Sequence, residues 1–488
     1  MFSGRRFLAF LISFRLLFST VVAAEKVETV ALSLRQFTNM ALQNSLRSRT
    51  ADESLASSRY GWMASRRALT WPSLTASASK TKSGSDSDTG TEVETVSDEE
   101  SLELTQPLLT GTVLSLEGAW SRSRSESDTL GVITPSRTRY NPVWSAGVTQ
   151  PLYIFTGNES LRSRREANLE WEGDQEAHKR ERFTIEFDAR VLYYDLLLQT
   201  ETADVERRKY ESSKMVTETT QALVRAGKLA EVERVRANIR ARRDARQIQN
   251  SENNLEKAMN QAKDLISMPG DQRIRLTSKL VYEPFTVPFE SLVNAAMEYN
   301  FDIRAARRSV ELAELALRRA REGDNPEINA TGAYSLTRNR SDELAPVDPS
   351  EWSLRLGVEW PIFDASRTRL QARQQELALK RARRDLENTA RELRVSIQNA
   401  VLDIQKAEEQ MSDFTDQKDS AERNVRAIRL QYRNGLTRLT DVFDAENQSR
   451  ELDLEYLNLL VAFNVARDRL KLLVGTGLEN LTADRRKK

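Results

Sequence analysis

A helix too long for any compact domain dominates the second half of the sequence. Between Asp364 and Asn434 there is neither proline nor glycine, and a seam of small or apolar residues runs Leu386, Ala390, Leu393, Ile397, Ala400, Ile404, Ala407, Met411, Phe414. The steps alternate between four and three, the heptad rhythm of a helix supercoiled against neighbours. Lys418 interrupts the seam once, and Ala421, Val425, Ile428 and Tyr432 resume it before Asn434-Gly435. At about 1.5 Å per residue, a run of roughly 70 residues predicts a rod about 105 Å long. A chain built around such a rod must lay other helices along it.

The rod belongs to a unit that occurs twice. Leu34 to Leu69 reads as helix and ends at Trp71-Pro72-Ser73; Leu292 to Glu322 reads as helix and ends at Asn325-Pro326-Glu327. Each is followed by alternating residues, Leu74, Ala76 and Ala78 in one copy, Ile328, Ala330, Gly332 and Tyr334 in the other. A second alternating run then meets a proline: Trp144, Ala146 and Val148 before Gln150-Pro151-Leu152-Tyr153-Ile154-Phe155, and Trp352, Leu354, Leu356, Val358 and Trp360 before Pro361-Ile362-Phe363-Asp364. Both copies enter a long helix that breaks at Ala226-Gly227 or Asn434-Gly435, and a shorter helix returns.

Pro72 and Pro326 are 254 residues apart, whereas Pro151 and Pro361 are 210 apart, so copy one carries 44 extra residues between its prolines. This excess reads as an enlarged loop with its own hairpin, around Leu102-Leu104 and Val113 to Trp120, which either stays apart from the main sheet or joins it. The expected divisions are a first repeat at 25–268 with an insert at 84–142, an equatorial linker at 269–290, a second repeat at 291–475 with its strand hairpin at 328–363, and a tail at 476–488. Two short helices laid end to end match one long one in each copy.

Composition excludes several function classes. The chain has 73 basic and 72 acidic side chains, which argues against a nucleic-acid partner. There is no cysteine and one histidine, His178. Thiol chemistry and disulfides are excluded, and Ser-His or His-metal catalysis has almost nothing to work with. No enzyme constellation, cofactor site or metal site is expected. At the N-terminus, Arg5-Arg6, the apolar Phe7 to Val22 and Val22-Ala23-Ala24 predict a signal peptide at 1–24. The competing reading is an N-terminal anchor, which a short stretch interrupted by Arg15 favours less.

Alternating segments of about ten residues with aromatics near their ends suit either a transmembrane β-barrel or a soluble sandwich with a filled core. Candidate membrane-interface aromatics are Trp144, Tyr153, Phe155, Trp352, Trp360 and Phe363. Four main strands per chain cannot close a barrel, whose usual minimum is about eight, so closure requires several subunits.

Strand, proline-aromatic entry, long helix, glycine break and returning helix, repeated twice behind a signal peptide, resemble the TolC family of outer-membrane efflux channels. Gln150-Pro151-Leu152, Pro361-Ile362-Phe363-Asp364 and the run from Tyr432 through Gly435 and Asp441-Val442 to Asp444-Ala445 carry the resemblance. It implies a mainly α fold in which a long antiparallel α-helical coiled-coil barrel joins a transmembrane β-barrel, both completed by trimerisation. Three chains make one 12-stranded barrel in that family. It further implies the outer membrane of a Gram-negative bacterium, a homotrimer, a periplasmic adaptor protein, an inner-membrane transporter, and passive efflux or type I secretion.

The resemblance also assigns residues. Asp441 and Asp444, three apart on one helix face, match a periplasmic constriction; on spacing alone they would equally stabilise a helix N-terminus. Tyr432 and Glu233 match gate links, with Arg438 standing one place beyond the expected basic partner, which is Thr437 here. Tyr432 also fits plain packing in the seam. Gly227 and Gly435 make the tip turns, with Lys228, Leu229, Leu436 and Leu439 beside them as adaptor contacts. A periplasmic adaptor and a structural coiled-coil protein of the envelope are the alternatives. Adaptors usually show one hairpin with β-rich soluble domains, and a structural coiled coil leaves the matched strand-proline entries unexplained.

Overall fold

The computed structural model describes residues 29–86, 91–129, 132–285, 287–341, 344–347 and 349–475. The predicted signal peptide and tail lie outside the described residues. In chain order the first repeat contains β1 (Thr29–Leu32), α1 (Leu34–Asn44), α2 (Leu46–Ala68), β2 (Ser73–Asp86), β3 (Thr91–Pro107), β4 (Val113–Thr129), β5 (Val132–Leu152), α3 (Glu159–Arg225) and α4 (Glu231–Leu265). After β6 (Arg273–Leu276) the second contains α5 (Phe289–Tyr299), α6 (Phe301–Glu322), β7 (Glu327–Thr337), β8 (Asn339–Ser341), β9 (Leu344–Val347), β10 (Ser350–Glu359), α7 (Arg367–Arg433) and α8 (Leu439–Val474).

The two long helices, α3 and α7, are 67 residues each. The heptad seam of α7 is its buried stripe: Leu393, Ile397, Ala400, Ile404, Ala407, Met411, Ala421, Val425 and Tyr432 all lie inside. Lys418 breaks the stripe because its ammonium reaches Asp453 of α8 at 3.0 Å and lies over the Tyr456 ring. The expected Leu34–Leu69 and Leu292–Glu322 helices are each divided in two. Ser45 ends α1 in an extended conformation and its hydroxyl caps Ser48 N–H of α2. Asn300 does the same between α5 and α6, where its side-chain oxygen accepts from Asp302 and Ile303 N–H. A short polar side chain thus breaks and restarts the helix without proline or glycine.

These breaks mark the waist. Ser267, just past α4, donates to Asn44 O at the end of α1, and the Asn300 amide donates to Leu473 O near the end of α8. In both repeats the short helices therefore meet end to end beside a long one. A two-stranded parallel sheet of β1 and β6, which the sequence pattern did not disclose, joins the repeats' linker to the start of the chain. Tyr193 of α3 pins it by donating to Leu32 O at 2.9 Å. Two apolar cores flank the waist, one around Phe37, Tyr193, Leu196 and Ile266, the other around Leu292, Ile397, Ile404, Phe463 and Leu470.

Gly475 closes α8 with φ +76°, and a Cβ there would lie 2.5 Å from Tyr299 O. Gly435 has the same φ with open space around it. Gly435→Ala is expected to cost about 1–2 kcal/mol from the left-handed backbone alone. Gly475→Ala adds a backbone collision at the waist and should lower the thermal midpoint further; equal midpoints would contradict this.

At the opposite end from the glycine turns the strands form one antiparallel sheet in the order β10-β7-β5-β4-β3-β2, with β8 and β9 off its path. The expectation of four main strands per chain is corrected to six. The runs assigned to an enlarged loop are β3 and β4, and they lie between β2 and β5 in the main sheet. Sequence alternation located them, but only pairing across the sheet decides where they go.

Candidate functional site

Two regions position chemistry: the glycine-turn tip and the sheet. At the tip both long helices end in the same hydrogen-bonded turn. Lys228 N–H donates to Leu223 O and Gly227 N–H to Val224 O; Leu436 N–H donates to Gln431 O and Gly435 N–H to Tyr432 O. This six-to-one and five-to-two pattern needs a left-handed residue just past the helix, which Gly227 (φ +72°) and Gly435 supply. Lys228 and Leu436 are exposed at the turns. Leu439 is not: it is buried against Val216, Ala237, Tyr432 and Val442, with Leu229 packed alongside. It holds the tip together from inside, because the first residue of α8 faces the long helices rather than solvent.

Asp441 sits in the first turn of α8, where its carboxylate accepts from Thr437 Oγ1 at 2.7 Å and Arg438 N–H at 3.0 Å. Those bonds, that from Thr437 foremost, hold its pKa below the ordinary aspartate value. A depressed pKa stabilises the fold above the unfolded-state value, and that contribution is lost as pH falls through the folded-state one. Asp441 therefore performs the N-terminal capping role its position permits. Asp444, one turn on, is exposed.

Of the three expected gate residues, Tyr432 and Glu233 lie close enough within one chain for the Glu233 charge to act on the Tyr432 hydroxyl. Tyr432 is buried and its hydroxyl shares a 2.7 Å hydrogen bond with Thr220 of α3. Its pKa is raised, first by burial. Glu233 pairs with Arg236 on its own helix at 2.7 Å, and Arg438 is exposed at the turn.

A buried polar network just above the tip went unread in the sequence. Glu446 of α8 accepts from Arg429 of α7 and from Ser212 of α3, tying three helices at one point. Nearby, Asp244 of α4 lies against Ser213, Arg240 and Lys209, and Arg450 pairs with Glu206 at 2.8 Å. Glu206, Asp244 and Glu446 are each 5% exposed or less. Burial, and then the neighbouring Arg240, lowers the Lys209 pKa. The available signal was the 3–4 spacing of Ser213, Thr217 and Thr220 along α3, a small polar stripe where a seam should be apolar.

In the sheet, side chains on the two faces differ. On β10 Trp352, Leu354, Leu356 and Val358 alternate onto one face, Trp360 follows just past the strand, and all are well exposed, Leu354 at 79%. Across the strands they align with Tyr334, Gly332, Ala330 and Ile328 of β7 and with Ala146 and Val148 of β5. No second layer of the described residues covers this face, so the sandwich reading fails for want of a filled core. Trp352 and Trp360 are eight residues apart, about 27 Å along a strand, against an apolar band about 25 Å tall in outer-membrane barrels. Trp144 is half-exposed and packs edge-on against Trp120 at 5.3 Å, while Phe155 and Phe363 are exposed at the helical end. Tyr153 instead packs under Gly111. His178 is bound to Asp52 at 2.6 Å. Among the described residues no helix is long and apolar enough to cross a membrane, and no acidic or histidine cluster could hold a metal ion.

Comparison with known proteins agrees with this geometry. Residues 292–476 match the family model described as outer membrane efflux protein. The fold is similar to that of CusC, whose structures concern transmembrane channel formation, at a TM-score of 0.70 and 16% identity, over 91% of this chain and 92% of that one. It is also similar to the outer membrane protein VceC of Vibrio cholerae (TM-score 0.68, 15% identity, 91% and 96% covered). The open-state MtrE outer membrane channel of Neisseria gonorrhoeae gives 0.68 at 18% identity over 91% and 89%. No curated protein sequence matches the chain.

Proposed function

We propose, from the match of residues 292–476 to the outer membrane efflux proteins, that three copies assemble into a passive channel-tunnel of a tripartite efflux pump or type I secretion system. The observation that carries this reading is the uncovered apolar face of the sheet, rimmed by Trp144, Trp352 and Trp360, at one end of a helical body. An envelope adaptor or a purely structural coiled coil has no use for such a face. In the assembly it meets outer-membrane lipid, while the helices surround a conduit through the periplasm.

The tip is the periplasmic entrance, where an adaptor protein and an inner-membrane transporter deliver substrate. Lys228 and Leu436, exposed on the two turns, are the adaptor contacts this reading favours. The Asp441 carboxylate keeps its charge while its cap holds it in place, so with exposed Asp444 it supplies the field that three chains would focus into a cation-attracting collar. Closure relies on the buried contacts of Tyr432, Arg429 and Glu446.

Reconstitution of the full chain in a planar lipid bilayer tests the reading. Discrete, cation-selective conductance steps are expected, and Asp444→Asn, which leaves the Asp441 cap intact, should reduce the cation preference. A detergent-soluble monomer that gives no conductance would overturn the proposal. Equal selectivity in wild type and the Asp444 variant would remove the collar alone.

A further inference from the structure

We propose that β3 and β4 are two additional membrane-spanning strands, so that each chain supplies six strands and three chains close an eighteen-stranded barrel, wider than the twelve-stranded one implied by the family resemblance. The inference rests on the trimeric channel reading above.

Register carries the argument. One row across the sheet runs Leu74, Leu104, Leu116, Ala146, Tyr334, Trp352, taking one residue from each strand from β2 to β10. The next row on that face begins Ala76, Leu102, Gly118, Trp144 and Leu336. The intervening row belongs to the other face and reads Thr75, Glu103, Glu117, Ser145, Ser335, Glu351. In these two rows the apolar band and the polar face between them pass through β3 and β4, with Gln106 and Glu100 bounding the band on β3. Strand alternation of this kind separates a lipid side from a water-filled lumen.

The β3–β4 turn supplies a second observation. An extracellular loop would remain at the far end of the sheet, but this turn comes back to the end where the helices begin. Asn158, the cap of α3, donates to Leu109 O at 3.0 Å, and Gln106 donates to Thr70 O at 2.8 Å. β3 and β4 therefore run along the sheet to the end where the helices begin. Left in water, they would expose Leu116 at 54% and Leu102 at 41%.

The open edges then specify their partner. β2 and β10 end the sheet, and with each of the six strands antiparallel to its neighbour they run in opposite directions. Unpaired edges are not tolerated in hydrocarbon, so β2 of one copy pairs antiparallel with β10 of the next. Circumference agrees: six strands about 4.8 Å apart and tilted about 40° span about 37 Å. Four helical rods per chain at about 9–10 Å occupy about 36–40 Å. Four strands would span only about 25 Å by the same estimate. Barrels of 16–18 strands leave an aqueous channel, which puts the bottleneck at the helical tip.

The chain has no cysteine, so single cysteines can be labelled cleanly. Full-length L104C, L116C and S115C, each carrying a bimane label, are reconstituted in vesicles containing brominated lipid, with L354C on β10 as reference. The fluorescence loss at L104C and L116C is expected to equal that at L354C, with S115C unaffected. Quenching at L354C without quenching at L104C and L116C would overturn the six-strand wall and leave the channel intact. Absence of quenching at L354C would remove the membrane reading itself, and the inference with it. Electron microscopy of the unsubstituted oligomer provides an independent count: eighteen strands support the proposal, and twelve strands from three chains refute it.

Discussion

Arg429→Ala is expected to leave the channel leaking and to destabilise it by about 3 kcal/mol, the lower end of what breaking a buried ion pair costs. Glu446 is 5% exposed and its carboxylate accepts from only Arg429 and Ser212 among the described residues. Without the guanidinium the carboxylate remains buried, with one hydroxyl to compensate its charge. The estimate stays at the lower end because a third of the Arg429 side chain is exposed, so water partly replaces it. The pair joins α3 of the first repeat to the α7–α8 hairpin of the second, one turn above Tyr432. Loosening that point frees the second tip from the first.

The checking measurements are single-channel conductance at rest and thermal unfolding of the same sample. Conductance should rise and the midpoint should fall. Replacing both partners, Arg429→Met with Glu446→Leu, removes the stranded charge and should recover most of the stability, because a buried pair exchanged for apolar side chains is close to neutral. It should not restore closure if the ion pair also fixes the register of the helices. If Arg429→Ala unfolds and conducts like wild type, the network has no part in holding the tip.

The helical half of the molecule was largely legible because its signals are local. A heptad seam needs only the spacing of Leu393, Ile397, Ala400 and Ile404, and a helix end needs only Gly435. The breaks at Ser45 and Asn300 were missed because serine and asparagine also occur within helices, and only their capping bonds distinguish the two cases. The sheet was legible strand by strand but not in order. Alternation at Leu102-Leu104 and Leu114-Leu116 says that these are strands, but β5 finds β7 nearly two hundred residues away. Register is a property of that distant pairing. Glu206, Asp244 and Glu446 were unreadable for a related reason. In sequence they resemble any solvated carboxylate on a helix, and they become buried only when four rods close around them. Asp441 is an intermediate case: a helix-start position allowed both a cap and a constriction residue, and only its bond from Arg438 N–H identifies the cap.

Leu356→Arg is expected to abolish assembly of the oligomer in the outer membrane. Leu356 lies on β10 midway between Trp352 and Trp360, is 68% exposed in the single chain, and faces the same way as Leu354 and Val358. An arginine at the middle of the lipid face of a barrel costs about 2–4 kcal/mol. Three chains would place three of them in one ring, multiplying the cost to about 6–12 kcal/mol, comparable with the whole stability of an ordinary domain. Ser353→Arg provides the control. Its side chain lies on the opposite face beside the polar row of Glu351, Ser335 and Ser145, so it should assemble normally and alter only conductance. Yield in outer-membrane fractions and heat-modifiable migration on gels read both variants directly. Loss with Leu356→Arg and retention with Ser353→Arg would assign the two faces to lipid and lumen. If the two variants assemble equally, neither face meets hydrocarbon and the sheet does not span the bilayer.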